Sequence, residues 1–224
     1  MVAQCTPDHM TGDVNPAGSL PPLRQVQVAQ TEERIVAAAT ELFLAHGYVA
    51  TTLEAVAKRA QVGARTVYLR FGTKAALLKR VIDVAIVGDA EPVDVLGRDW
   101  MQAALTAPTA AERIAASAAA GRQIMQRTGA LFAVAQQAAA VEPLIAEFWR
   151  QGREQTRRAH AVILSRAASD GLLDPRVDLD WLIETSTIVG SAETYLLITR
   201  LTGWDLDAYQ DWLATTYARL ALIS

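Results

Sequence analysis

The chain has a single cysteine, Cys5, in 224 residues, so no disulfide can close within it. That fits a reducing cytoplasm. No stretch reaches the roughly eighteen consecutive apolar residues of a membrane-spanning helix. The three histidines, His9, His46 and His160, lie far apart and give no metal-ligand spacing. No glycine-rich phosphate loop, nucleophile elbow or zinc-protease pair is present. The sequence therefore offers no catalytic residues and no metal site, calls for no cofactor, and reads as a non-enzyme. Short runs of alternating Val, Ile and Thr are missing too, so no strands are expected.

What is abundant is alanine. Hydrophobic residues make up 51% of the chain and aromatics only 6%. This composition suits closely packed helices, and the expected fold class is all-α. Residues 1–30 hold four of the eight prolines and no apolar period. They read as a disordered tail without the basic start and long apolar core of a signal peptide.

Residues 35–78 carry the strongest pattern. A first helix is expected over about 31–46, capped by Thr31. Ile35, Ala38, Ala39, Leu42 and Phe43 form its apolar stripe and Gly47 its end. A second helix starts at Thr51 or Thr52 and ends near Ala60. Gln61-Val62-Gly63 makes a turn, and a third helix spans Ala64 to Phe71. Val67 and Phe71 face inward on it; Arg65, Thr66, Tyr68, Leu69 and Arg70 face outward. Thr73 caps a fourth helix that opens at Lys74.

A helix this short is not stable alone. It persists when neighbours pack it, and an outer face with two arginines, a threonine and a tyrosine suits duplex DNA. Charge agrees. Residues 31–80 carry eight basic and four acidic side chains, a balance of +4 in a chain of net charge −3. All three lysines, Lys58, Lys74 and Lys79, fall there, giving an acidic protein one cationic end.

Gly47, Thr52, Val56-Ala57, Ala60, Val62, Thr66-Val67-Tyr68, Arg70-Phe71, Lys74 and Leu77-Leu78 resemble, without a gap, the DNA-binding segment of the TetR family of bacterial transcriptional regulators. The resemblance implies DNA-contact roles for Thr52, Arg65, Thr66, Tyr68, Arg70 and Lys74. Arg70 stands where the family has a histidine or tyrosine on the backbone, and Arg65 where a small residue is frequent. Gln61 replaces a glycine of positive φ, and Gly63 a capping serine. The implied organisation is a tail (1–30), a three-helix helix-turn-helix domain (31–76) and a larger helical ligand-binding and dimerisation domain (77–224).

Beyond residue 92, helices are expected at about 93–106, 109–128, 129–140, 142–170, 178–202 and 205–222, punctuated by glycine and proline. The stripes on the last two would close a monomer core or pair with their copies; the resemblance favours a homodimer. Trp100, Met101, Gln123, Met125, Phe132, Gln136, Trp149 and Tyr195 are the expected wall of a pocket for a small, largely apolar effector. Asp170, Asp174, Asp178 and Asp180 read as loop solubilisers and helix caps. Together these features point to a repressor of a double-stranded, palindromic operator. Two other classes stay open: a carrier or enzyme on a helical bundle, and a helical interaction protein that does not read DNA.

Overall fold

The structure is a computed structural model that describes residues 23–88 and 95–221, with side chains from residue 26. The described residues form ten α-helices and no strands. They are α1 Leu23–Ala50, α2 Leu53–Ala60, α3 Ala64–Phe71, α4 Lys74–Val87, α5 Asp99–Thr106, α6 Ala110–Ala139, α7 Pro143–Ser169, α8 Leu179–Val189, α9 Ala192–Thr202 and α10 Leu206–Ala221, with a 3-10 turn at Val95–Gly97 before α5. None of them is long and apolar enough to cross a membrane.

Four helices differ from their expected bounds; one is α5, which starts at Asp99 after the 3-10 turn rather than at about 93. First, α1 begins at Leu23, so residues 23–30 are helix rather than tail; residues 1–22, with Cys5 and His9, lie outside the described residues. Thr31 is thus an interior residue, and its hydroxyl donates to the Gln27 carbonyl at 2.7 Å instead of capping. The break at Gly47 is real, at φ 73° and ψ −179°, and Thr51 closes it by donating to the Gly47 and Leu42 carbonyls. Second, α6 runs unbroken through Gly129. The glycine is there for the close approach of the Tyr195 ring, not to stop the helix. Third, the expected helix 178–202 is two: Gly190 ends α8 and the Ser191 hydroxyl caps α9, accepting from Thr194 N.

α6 is the central element. At 30 residues it is about 45 Å long, and it touches α1, α4, α5, α7, α9 and α10. One apolar cluster joins its Leu131, Ala135 and Ala138 to Ile35 and Phe43 of α1, Val67 of α3 and Leu77, Leu78 and Val81 of α4. A second gathers Ala118 and Met125 of α6 with Tyr209 and Leu213 of α10. The stripe on the last helix therefore begins by closing the monomer core.

Two glycine replacements separate packing from helix propensity. Gly129→Ala puts a methyl 2.7 Å from the Tyr195 ring. It should lower stability by about 1–3 kcal/mol despite the better propensity of alanine. Gly152→Ala in α7 meets nothing within 4 Å and should raise it by about 0.5–1 kcal/mol. Thermal and urea melts read both; stabilisation by Gly129→Ala would refute the α6–α9 contact.

Candidate nucleic-acid interface and ligand cavity

The helix-turn-helix is built by local chemistry. The Thr52 hydroxyl caps α2, accepting from Ala55 N at 3.1 Å. Gln61 ends α2 in the left-handed region at φ 55° and ψ 46°, the one non-glycine residue at positive φ among those described. Arg34 of α1 supports that strained turn: its guanidinium donates to the Ala60 carbonyl at 2.6 Å and to the Gln61 carbonyl at 2.8 Å. No local pattern announces this contact, because the partners lie 26 and 27 residues away. Gly63 starts α3 without a side-chain cap. Val67 has no exposed surface and pins α3 to the core, which turns Arg65, Tyr68 and Leu69 outward.

Each expected contact residue has a place. Arg65 is exposed at the start of α3, and Thr66 is half-buried one position on. The Tyr68 hydroxyl donates to the Glu54 carboxylate of α2, which holds the Glu54 carboxyl below its ordinary range. Half-buried Arg70 reaches Glu32 of α1 at 3.4 Å, and Arg80 of α4 pairs with the same carboxylate at 2.8 Å. Lys74 donates to the Tyr48 carbonyl at 2.8 Å and lies 4.3 Å from the centre of the Tyr48 ring. Burial lowers its pKa. An ammonium has three donors, so Lys74 ties α4 to the end of α1 with a donor to spare. Thr52, with its oxygen engaged as a cap, is exposed at the start of α2.

A cavity of about 590 Å³ opens between α4, α6, α7, α8 and α10. Of the eight residues expected to line it, Met101, Met125, Phe132 and Trp149 do; Trp100, Gln123, Gln136 and Tyr195 do not. Trp100 instead packs under the Arg127 guanidinium at 5.3 Å, and Tyr195 stacks edge-on against Tyr209 with ring centres 4.9 Å apart. Among the half-buried glutamines, the backbone carbonyl of Gln123 accepts from Arg127. The wall carries three polar groups, of which Trp149 was expected and His160 and Arg113 were missed. The Trp149 indole donates to Glu193 at 2.7 Å. His160 stands between the Thr156 carbonyl and the Tyr217 hydroxyl, at 3.0 and 3.1 Å. A carbonyl only accepts, so Nδ1 carries the proton and Nε2 accepts from Tyr217. Arg113 is the third. Each depends on a partner more than forty residues away or on burial that no local pattern announces.

Comparison with known proteins fits this geometry. Residues 35–81 match the model of bacterial regulatory proteins of the TetR family. The transcriptional regulator TcmR of Streptomyces glaucescens is 28% identical over 160 residues, 67% of this chain and 66% of that protein. The chain is thus similar to TetR-family regulators, above all over its helix-turn-helix. The matched residues hold the helix-turn-helix of α2 and α3. Solved structures share the fold across its length. A TetR transcription regulator from Haloarcula marismortui superposes with a TM-score of 0.63 at 14% identity, covering 85% of this chain and 96% of its own. SmeT in complex with triclosan gives 0.64 at 18%, covering 84% and 90%. GusR of Salmonella enterica gives 0.56 at 18%, covering 85% and 95%.

Two results are expected at these sites. Arg34→Ala leaves the α2 carbonyls unpaired and should lower stability by about 1–2 kcal/mol, read as a drop in urea midpoint at unchanged slope. Burial pushes the His160 imidazole below its ordinary range. The unfolded chain takes up a proton near pH 6.5 that the folded one resists, so stability is full above that pH and falls as pH drops toward 5. The melting temperature of the regulator should decline over that window, and His160→Gln should flatten it. Acid loss below about pH 4, from carboxyls such as Asp170 held low by arginine, should remain in the variant.

Proposed function

We propose that this regulator is a dimeric repressor that reads a palindromic operator with α3 and leaves it when a small, largely apolar effector fills the cavity. The observation that carries this reading is the path of α4. Lys74 opens α4 beside the recognition helix, while Ile82, Ile86 and Val87 at its other end line the cavity. A ligand that displaces the far end of α4 moves the helix-turn-helix with it. The effector then favours the state whose recognition helices no longer match two major grooves.

Dimerisation has a surface available. Trp181 and Ile188 of α8, Leu197 and Leu201 of α9, and Trp204 after α9 are exposed apolar side chains near the end of the chain. Pairing them would bury that surface and give two half-sites, which one eight-residue helix needs for useful affinity. SmeT binds triclosan in its complex, which supports an apolar effector for a chain of the same fold.

In this reading Arg65 contacts base edges, Thr52, Thr66 and Tyr68 approach phosphates or thymine methyls, and Arg70 and Lys74 grip the backbone. Each would exchange its internal partner, Glu54 for Tyr68 and Glu32 for Arg70, for DNA. An operator selected from random DNA provides the test. Arg70→Ala should weaken binding to all sequences alike and reduce the slope of log affinity against log salt by about 1. Arg65→Ala should cost about 1–3 kcal/mol and relax base preference at one position of each half-site. Full affinity and selectivity in Arg65→Ala would remove its base-reading role, and a tight effector that leaves operator affinity unchanged would remove the release mechanism.

A further inference from the structure

The cavity wall has one buried charged side chain with an unpartnered nitrogen. Arg113, in the first turns of α6, is 6% exposed and lines the cavity among apolar neighbours. Its Nε donates to the Ala107 carbonyl at 2.8 Å and its Nη2 to Asp170 at 2.5 Å, while its Nη1 is closed off from solvent with no partner. The other polar pairs of the wall, His160 with Tyr217 and Trp149 with Glu193, are satisfied by each other. Tyr209 also has an unpartnered oxygen, but a neutral hydroxyl can turn and loses far less than a cation does.

Charge points the same way. The lining carries Lys79, Arg113, Arg153 and Arg158 against Asp83 and Glu193. Lys79 pairs with Asp83 and Arg153 with Glu193. Asp170 neutralises Arg113 only in part, because it is shared with Arg166 at 3.1 Å. A chain that is acidic overall thus lines this apolar cavity with an excess of positive charge.

From this we infer that the effector is an apolar molecule bearing one acidic oxygen group, a carboxylate or its equivalent, that docks against Nη1 of Arg113. The inference rests on the effector-binding reading of the cavity and narrows it to a chemical class. A charge-assisted bond to a guanidinium inside an apolar wall is stronger and more selective than the same bond in water. A slight turn of the guanidinium brings Nη1 to the ligand while Asp170 holds the other side.

The test is binding of two dyes with one ring skeleton to the full-length protein. They are 1-anilinonaphthalene-8-sulfonate and its uncharged parent N-phenyl-1-naphthylamine, titrated by fluorescence at pH 7.5 with one-to-one stoichiometry. The anionic dye should bind at least about tenfold tighter. Arg113→Met should erase that preference while leaving the neutral dye unchanged. Arg113→Lys should keep part of it, and Asp170→Asn should enlarge it. Equal binding of the two dyes to the wild type overturns the proposal without needing any variant and leaves the cavity reading intact. So does a preference that survives Arg113→Met and vanishes in Arg153→Ala/Arg158→Ala, since surface charge would then explain it. Binding of neither dye overturns the cavity reading together with this one.

Discussion

The burial of α4 is the constraint on which the rest of the molecule depends. Leu77 and Leu78 have no exposed surface and Val81 has 1%. They are packed by α1 on one side and α6 on the other. Each such side chain contributes about 1.5–3 kcal/mol by leaving water. The helix-turn-helix segment and the α6 and α7 side of the cavity consequently share one apolar cluster, while α10 packs on α6 in a second. A core packed this closely does not deform smoothly; it repacks between discrete arrangements. In the proposed release mechanism such a repacking carries a change at the cavity along α4 to α3, which precedes its first residue.

Polar ties reinforce the seam at points where apolar contact alone would leave it free to slide. The Tyr48 hydroxyl, just after the kink in α1, donates to Glu142, the N-cap of α7, at 3.1 Å. Burial and that carboxylate push the Tyr48 pKa up to about 12, so the hydroxyl stays a donor at any physiological pH. Lys74 lies over the same ring. At the far end of α4, Arg127 of α6 donates to the Val87 carbonyl at 3.0 Å, where a cation suits the negative end of the helix. The two ends of α4 are thus held by different partners, one on α1 and one on α6.

Where information is local, the chain could be read directly. The bounds of α3, the Thr73 cap and the inward role of Val67 follow from neighbours within four positions. Gln61 shows how far this goes: its place in the turn implied a left-handed conformation, and it has one. What escaped was set by distant partners. The start at Leu23 escaped because residues 23–30 show no apolar period, although Arg24 and the glutamines that follow are good helix formers. Gly129 reads as a breaker until Tyr195, 66 positions on, is placed against it. Half of the expected cavity wall fails for the same reason. Bulk and helical period say that Trp100 and Tyr195 are buried, but not which side of the helix faces the void.

Arg113 shows why a buried charge has to be weighed differently from a buried leucine. Moving a guanidinium out of water costs several kcal/mol, and even a well-formed pair with a carboxylate rarely returns more than that. Here the pair is incomplete, because one amino group has no partner and the carboxylate is divided between two arginines. An apolar side chain of similar volume at position 113 would pack against Ala110 and Ile114 with no such penalty. Stability therefore does not account for an arginine in this wall. A group retained at a net cost to the empty protein is explained by a state in which the cost is recovered, and the cavity beside it is where the missing acceptor fits.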